Sequence, residues 1–222
     1  MLTNIEHSFW LGNVQLALRS KRQRTSDPYY RTAKAVGYRS RSSYKLLQLS
    51  QRYRILRAGD IIVDLGAAPG GWIQVSVELV GDSGFVLGVD LDPIIPLSVP
   101  NVRTIRGDLT SPSVLKRVSD IIPRRADVVL SDASPHVSGN WSLDQARQLF
   151  LAEKSLEACG VILRSGGSAV LKAFQGSDYA QFLNKVRSAF RSVDVAKPSA
   201  SRRSSAEVYL ICRGFVGVES LV

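Results

Sequence analysis

From residue 60 onward, short apolar runs alternate with longer segments of helical spacing. Short segments rich in apolar residues and bounded by turn formers predict strands at 61–66, 85–89, 102–105, 126–130 and 169–173. Between them, apolar residues at intervals of three and four predict helices at 71–80, 111–122, 142–164 and 177–190, with Gly81 closing the first and Ser165-Gly166-Gly167 closing the third. A further helix with a mixed face is predicted from about 40 to 53, carrying Tyr44, Leu46, Leu47, Leu49 and Tyr53. Asp27-Pro28 punctuates a boundary before it. Repeated strand–helix alternation predicts a parallel, doubly wound α/β sheet with helices on both faces. The chain closes differently, with runs at 193–196 and 208–212 around a polar loop, which predicts one antiparallel strand at the end.

A chain of 222 residues, 45% hydrophobic, can bury a substantial core, and one domain over 25–222 with a basic extension at 1–24 is the expected organisation. The net charge of +10 is unevenly placed: residues 1–60 carry +9, residues 61–184 carry −3 and residues 185–222 carry +4. An acidic centre between basic flanks suggests a small-ligand site in the middle and a polyanion gripped at the edges. Cys159 and Cys212 sit among apolar neighbours and are expected as reduced core thiols of a cytoplasmic protein. His7 and His136 stand alone, so no metal site is expected, and the apolar stretch around Phe9-Trp10-Leu11 is too short and polar to span a bilayer.

The chemistry begins at Asp64-Leu65-Gly66-Ala67-Ala68-Pro69-Gly70-Gly71-Trp72, a glycine-rich turn between a strand and a helix. Open α/β sheets hold nucleotide-like ligands at such turns. No Gly-Lys-Ser/Thr follows, which argues against ATP. Successive strands end in acids, Asp64, Asp90, Asp108 and Asp132. Asp90 lies where a carboxylate accepts both ribose hydroxyls, a position shared with NAD enzymes, and Asp108 suits an adenine amino group. Acids around a glycine turn that departs from G-x-G-x-x-G favour S-adenosylmethionine, a zwitterion beside a sulfonium, over NAD. Asp64 is the member of this set most suited to a structural role.

Lys172 interrupts an apolar strand, where an ammonium must find partners. Lys45 lies on the basic helix before the sheet, Asp132 tips the fourth strand and Glu207 opens the last. With Gly37-Tyr38-Arg39-Ser40-Arg41-Ser42-Ser43-Tyr44-Lys45-Leu46, the glycine turn, Ser131-Asp132-Ala133-Ser134-Pro135, Lys172-Ala173-Phe174-Gln175-Gly176, Lys197-Pro198 and Ser204-Ser205-Ala206-Glu207-Val208-Tyr209, the chain resembles the FtsJ/RrmJ family of S-adenosylmethionine-dependent RNA ribose 2′-O-methyltransferases over residues 27–214.

The resemblance implies a seven-stranded Rossmann-like methyltransferase fold, mostly parallel. It also implies a Lys-Asp-Lys-Glu catalytic tetrad at Lys45, Asp132, Lys172 and Glu207, and cofactor contacts at Gly70, Trp72, Asp90, Asp108 and Asp132. Lys172 is then the group that deprotonates or polarises a ribose hydroxyl, with Lys45 beside it and the two acids orienting it. RNA is expected along Arg39, Arg41, Arg202 and Arg203, giving salt-sensitive binding. The implied substrate is a uridine of large-subunit ribosomal RNA, with transfer RNA as the runner-up and a monomer as the working unit. A non-catalytic RNA-binding assembly factor and a Rossmann oxidoreductase are the competing classes. Two departures bear on RNA choice: His136 stands where relatives often carry asparagine, and residues 1–24 have no counterpart in the family core.

Overall fold

Seven strands form one sheet in the order β3-β2-β1-β4-β5-β7-β6. The computed structural model describes residues 28–136, 138–202 and 204–218, so the extension expected at 1–24 and the expected RNA contact Arg203 lie outside the described residues. The strands are β1 (Ile61–Leu65), β2 (Phe85–Asp90), β3 (Val102–Arg106), β4 (Ala126–Ser131), β5 (Leu163–Phe174), β6 (Phe190–Ala196) and β7 (Glu207–Phe215). The helices are α1 (Pro28–Ala35), α2 (Ser42–Tyr53), α3 (Gly71–Val80), α4 (Pro112–Ile121), α5 (Trp141–Ile162) and α6 (Tyr179–Ala189). Every pairing from β3 to β5 is parallel, and β7 runs antiparallel between β5 and β6. The expected doubly wound sheet with an antiparallel close is therefore observed.

Alternation along the strands builds two cores. Ile61, Val63 and Leu65 face α4, α5 and α6 through Val118, Leu156, Ile162 and Phe182. Ile62, Val86, Leu130 and Val170 face α2 and α3 through Leu46, Trp72 and Ile73. Central strands buried on both faces read as continuous apolar runs, which is why they are legible in the sequence. After β1 the chain winds outward through β2 and β3, then returns to place β4 on the other side of β1. That reversal opens a crevice at the carboxyl ends of β1 and β4.

Three elements differ from expectation. Pro28–Ala35 forms a helix rather than a bare boundary, held by Ala33 in the core and by Tyr29 against Tyr44. Strand β5 begins at Leu163, before the Ser165-Gly166-Gly167 turn, because its pairing with β4 jumps from Ala126↔Leu163 to Val128↔Ser168. The extra residues bulge, with Gly166 at φ 73°. Strand β6 starts at Phe190, whose ring packs on Phe215. Cys159 and Cys212 are buried free thiols, and burial pushes the Cys159 thiol up to about 12. Among the described residues, no helix is long and apolar enough to cross a membrane.

Candidate active site

The crevice holds a cavity of about 290 Å³ lined by Gly66, Asp90, Asp108, Asp132, Pro135 and His136, among others. Gly66 is required where it stands: its φ is 78°, and a Cβ would come within 2.5 Å of the Ala133 backbone. The β1 turn and the β4 end are thereby drawn together at the cavity floor. Asp90 is fixed by two backbone amides, Ala68 N–H to one oxygen and Asp92 N–H to the other, both at 2.8 Å. Asp90 also lines the cavity, and a carboxylate there is a hydrogen-bond acceptor suited to a ribose diol. Asp108 accepts the Thr110 N–H at 2.8 Å and stays solvent-exposed, free to accept from an amino group. Acidic walls without a lysine or arginine on the cavity lining fit S-adenosylmethionine and oppose a phosphate-bearing ligand.

Two expected cofactor residues stand behind this wall rather than on it. Gly70, at φ 104°, caps α3, and a Cβ there would meet the Arg39 guanidinium at 2.6 Å. The Trp72 ring is 2% exposed, donates through Nε1 to the Ser42 carbonyl at 2.8 Å and lies 5.8 Å from the Tyr209 ring. What α3 can present to a ligand here is its first-turn backbone amides. Asp64 is fully buried, and neither of its carboxyl oxygens has a hydrogen-bond partner. Burial first, then the charges of Asp132 and Asp90, raises its pKa well above the ordinary value, so it stays protonated in the floor of the site.

Beside the cavity, Lys45, Asp132, Lys172 and Glu207 converge. They come from α2, the end of β4, β5 and β7, and pairing sets their approach. In the β5–β7 register Lys172 lies opposite Tyr209 and Phe174 opposite Glu207, so these side chains share one face. Lys172 Nζ donates to the Asp132 carbonyl at 2.9 Å and to Asp132 Oδ1 at 3.1 Å, and lies 3.9 Å from Glu207 Oε2. Lys45 Nζ sits 2.7 Å from Glu207 Oε1 and donates to Oε2 at 2.8 Å. The four side chains are 6–15% exposed.

Tyr209, which ends a matched motif but receives no role from the sequence, joins the two halves. Its hydroxyl accepts from Lys45 Nζ at 3.0 Å and donates to Asp132 Oδ1 at 2.7 Å. Burial above all, then the Asp132 and Glu207 charges, keeps this phenol well above its ordinary pKa, so it remains a neutral donor. Burial opposes ionisation of Asp132, yet Lys172, Lys45 and the donated hydrogen bonds hold its carboxyl below the usual value. Ser201 donates to Glu207 Oε1 at 2.7 Å. Gln148, 1% exposed, ties the Ala133 and Lys172 carbonyls together at 3.1 and 3.4 Å. Desolvating four ions costs several kcal/mol per ion, and an apolar cluster of equal volume would stabilise the fold as well. A buried, fully partnered cluster at the mouth of a cavity is therefore a mark of chemistry.

The arginines divide. Arg39 Nη1 donates to the Ile95 carbonyl and Nη2 to the Pro96 carbonyl at 2.8 Å, so its guanidinium clasps the loop after β2 instead of projecting outward. Arg41 donates to the Ala200 carbonyl and, with Lys45, Arg202, Ser205 and Glu207, lines a second cavity of about 220 Å³. Burial first, then the neighbouring Arg202 charge, lowers the Arg41 pKa. Arg41 and Arg202 thus form a basic rim directly against the tetrad.

Comparison with known proteins bears on the family and the fold. Residues 38–215 match the model of the FtsJ-like methyltransferase family. Proteins named ribosomal RNA large subunit methyltransferase E are similar to this chain. The one from Methanococcus aeolicus is 47% identical over 88% of this chain and 72% of its own length. That from Methanothermobacter thermautotrophicus is 44% identical over 89% of this chain and 93% of its own. Among solved structures, a Plasmodium falciparum protein assigned as a ribosomal RNA methyltransferase superposes with a TM-score of 0.73 at 29% identity, covering 81% of this chain and 100% of that one. With its sheet order, its switch-point cavity and this match over most of its length, the chain belongs to the FtsJ-like methyltransferase family.

Proposed function

We propose that this protein transfers a methyl group from S-adenosylmethionine to a ribose 2′-hydroxyl of large-subunit ribosomal RNA, a uridine by family resemblance, acting as a monomer. The observation that carries the reading is the meeting of Lys172, Asp132, Lys45 and Glu207 beside an acid-lined cavity. All of these groups come from one chain, which supports a monomeric unit.

S-adenosylmethionine supplies a methyl carbon made electrophilic by its sulfonium. Asp90 would hold its ribose, Asp108 its adenine amino group, and Asp132 would border the methyl end; the Trp72 backbone amide in the first turn of α3 would complete the cradle, beside Gly70, whose own N–H is held by the Ala67 carbonyl. Lys172 Nζ is the group that deprotonates or polarises the 2′-hydroxyl. A bound donor would offer its sulfonium methyl carbon to the ribose oxygen, with the carbon–sulfur electron pair left on sulfur. Lys45 and Glu207 fix the second side of the ribose, and the Tyr209 hydroxyl keeps Lys45 and Asp132 at their spacing. Arg41, Arg202 and Arg203 receive phosphates, which predicts salt-sensitive binding.

The test is transfer of labelled methyl from S-adenosylmethionine to ribosomes, isolated subunits and bulk transfer RNA, followed by ribose mapping. Label on a 2′-oxygen of large-subunit RNA supports the reading. Label confined to transfer RNA moves the target, and label on a base refutes the mechanism.

A further inference from the structure

One aromatic pair beside the tetrad has no part in the chemistry above. Trp141, the first residue of α5, is 54% exposed. Its ring lies nearly parallel to that of Phe174, at 7° and 6.2 Å between centroids, in an offset stack. Phe174 ends β5, two residues beyond Lys172 and on the same face, so its Cα stands about 6.5 Å further along the strand. Directly across the ladder lies Glu207. The pair therefore borders the place where the reacting ribose must sit.

Resting on the function proposed above, we infer that Trp141 and Phe174 form a stacking platform for an unstacked base of the RNA substrate. A ribose presented to Lys172 carries its base and its phosphates in different directions. The cavity of Arg41, Lys45 and Arg202, which Ser205 and Glu207 also line, offers cationic partners for phosphate. The flat apolar rings suit a base, whose faces stack on aromatic side chains whatever its identity.

The platform is also held in place before any RNA arrives. Asn140 Oδ1 accepts the Leu143 N–H at 3.2 Å and caps α5. Asp144 Oδ1 accepts the Ser138 N–H at 2.8 Å and the Ser138 hydroxyl at 2.7 Å, fixing the turn that delivers Trp141. On the other side, the missing side chain of Gly176 leaves room for Gln145, which packs the loop after Phe174 against the start of α5. Rings whose backbones are fixed independently lose little freedom on binding a base.

The experiment combines fluorescence and kinetics on the full chain. Of the three tryptophans, Trp72 is buried, so the signal lost in Trp141→Phe isolates the exposed ring. A short oligouridylate quenches that component, and a duplex RNA of equal length and charge quenches it much less. In methyl transfer to large-subunit RNA, Trp141→Ala raises KM for RNA roughly five- to thirty-fold at nearly unchanged kcat, and Trp141→Phe recovers most of the loss. Donor affinity and melting temperature of both variants match the wild type. Equal quenching by duplex and single strand, or a KM for Trp141→Ala within about twofold of wild type, overturns the inference. Weakened binding to whole subunits with naked RNA unaffected assigns the rings to a protein and also overturns it. Quenching needs no turnover, so selective quenching in a chain that transfers no methyl group supports the platform while refuting the reaction.

Discussion

Removing one oxygen, in Tyr209→Phe, tests whether the tetrad works as a unit. The ring is fully buried and rests against Trp72, so the substitution keeps the packing and deletes only the hydroxyl. Two contacts are lost, Lys45 Nζ to the phenol at 3.0 Å and the phenol to Asp132 Oδ1 at 2.7 Å. Hydrogen bonds to charged groups contribute about 1.5–3 kcal/mol each. Lys45 keeps Glu207 at 2.7 Å and Asp132 keeps Lys172 at 3.1 Å, so the net loss is close to that of one such bond rather than two, about 2 kcal/mol. Expressed in the transition state, that is roughly a 30-fold fall in the rate of methyl transfer. Single-turnover transfer at saturating donor and RNA reads it directly, and KM for RNA stays constant because the hydroxyl is buried. A double-mutant cycle with Lys45→Met gives strongly non-additive losses. A rate within about threefold of wild type, or additive losses, refutes the idea that the hydroxyl couples the two halves of the site.

Further outcomes follow from the same geometry. Arg39→Ala loosens the loop after β2 and weakens donor binding while leaving the salt dependence of RNA binding unchanged. Arg202→Ala lowers the salt slope by about 0.7–0.9 with donor affinity intact. Calorimetric titration of donor and RNA at several ionic strengths separates the two. Asp127 accepts from the Ile61 amide, Arg124 and Arg164 at 2.6–2.8 Å. Burial opposes its charge, but these donors lower its pKa to about 2. A depressed folded value contributes stability above the unfolded value of about 3.9, and the contribution is lost as pH falls toward 2. Asp127→Asn therefore costs about 1–2 kcal/mol at pH 7, discounted because both arginines are half exposed, and the cost vanishes near pH 2 in denaturant titrations.

Where an element is buried on both faces, its sequence pattern is nearly sufficient. Strands β1, β2 and β4 and helices α2 to α4 were legible because apolar runs and turn residues agree with one another. Of strand β5 only the part from 169 to 173 was legible, since its start and bulge depend on pairing with β4 and the local Ser165-Gly166-Gly167 reads as a turn. Helix α1 was missed because it is only 8 residues long and largely polar, and its contacts come from Tyr44 and the core beyond it. In the site, the tetrad was legible through four separate motifs, and Asp64 through its place within an apolar strand. Tyr209 carries no local signal: inside Val208-Tyr209-Leu210-Ile211 it looks like ordinary core, and only the register opposite Lys172 gives its hydroxyl a purpose. Charge alone placed Arg39 with the RNA contacts; a cluster of backbone carbonyls fixes its direction. Trp141 is invisible for the opposite reason, because exposure cannot be read from residue type.

The most direct measurement is single-turnover methyl transfer by Lys172→Met, paired with donor and RNA affinities and with mapping of the methyl position. Among the described residues Lys172 Nζ contacts only Asp132 and Glu207, so both ligands should bind as to wild type. The rate of 2′-O-methylation should fall by roughly 10²–10⁴, the range for a lost general base. Transfer to the same 2′-oxygen within about tenfold of the wild-type rate, with affinities unchanged, would contradict the account at its centre.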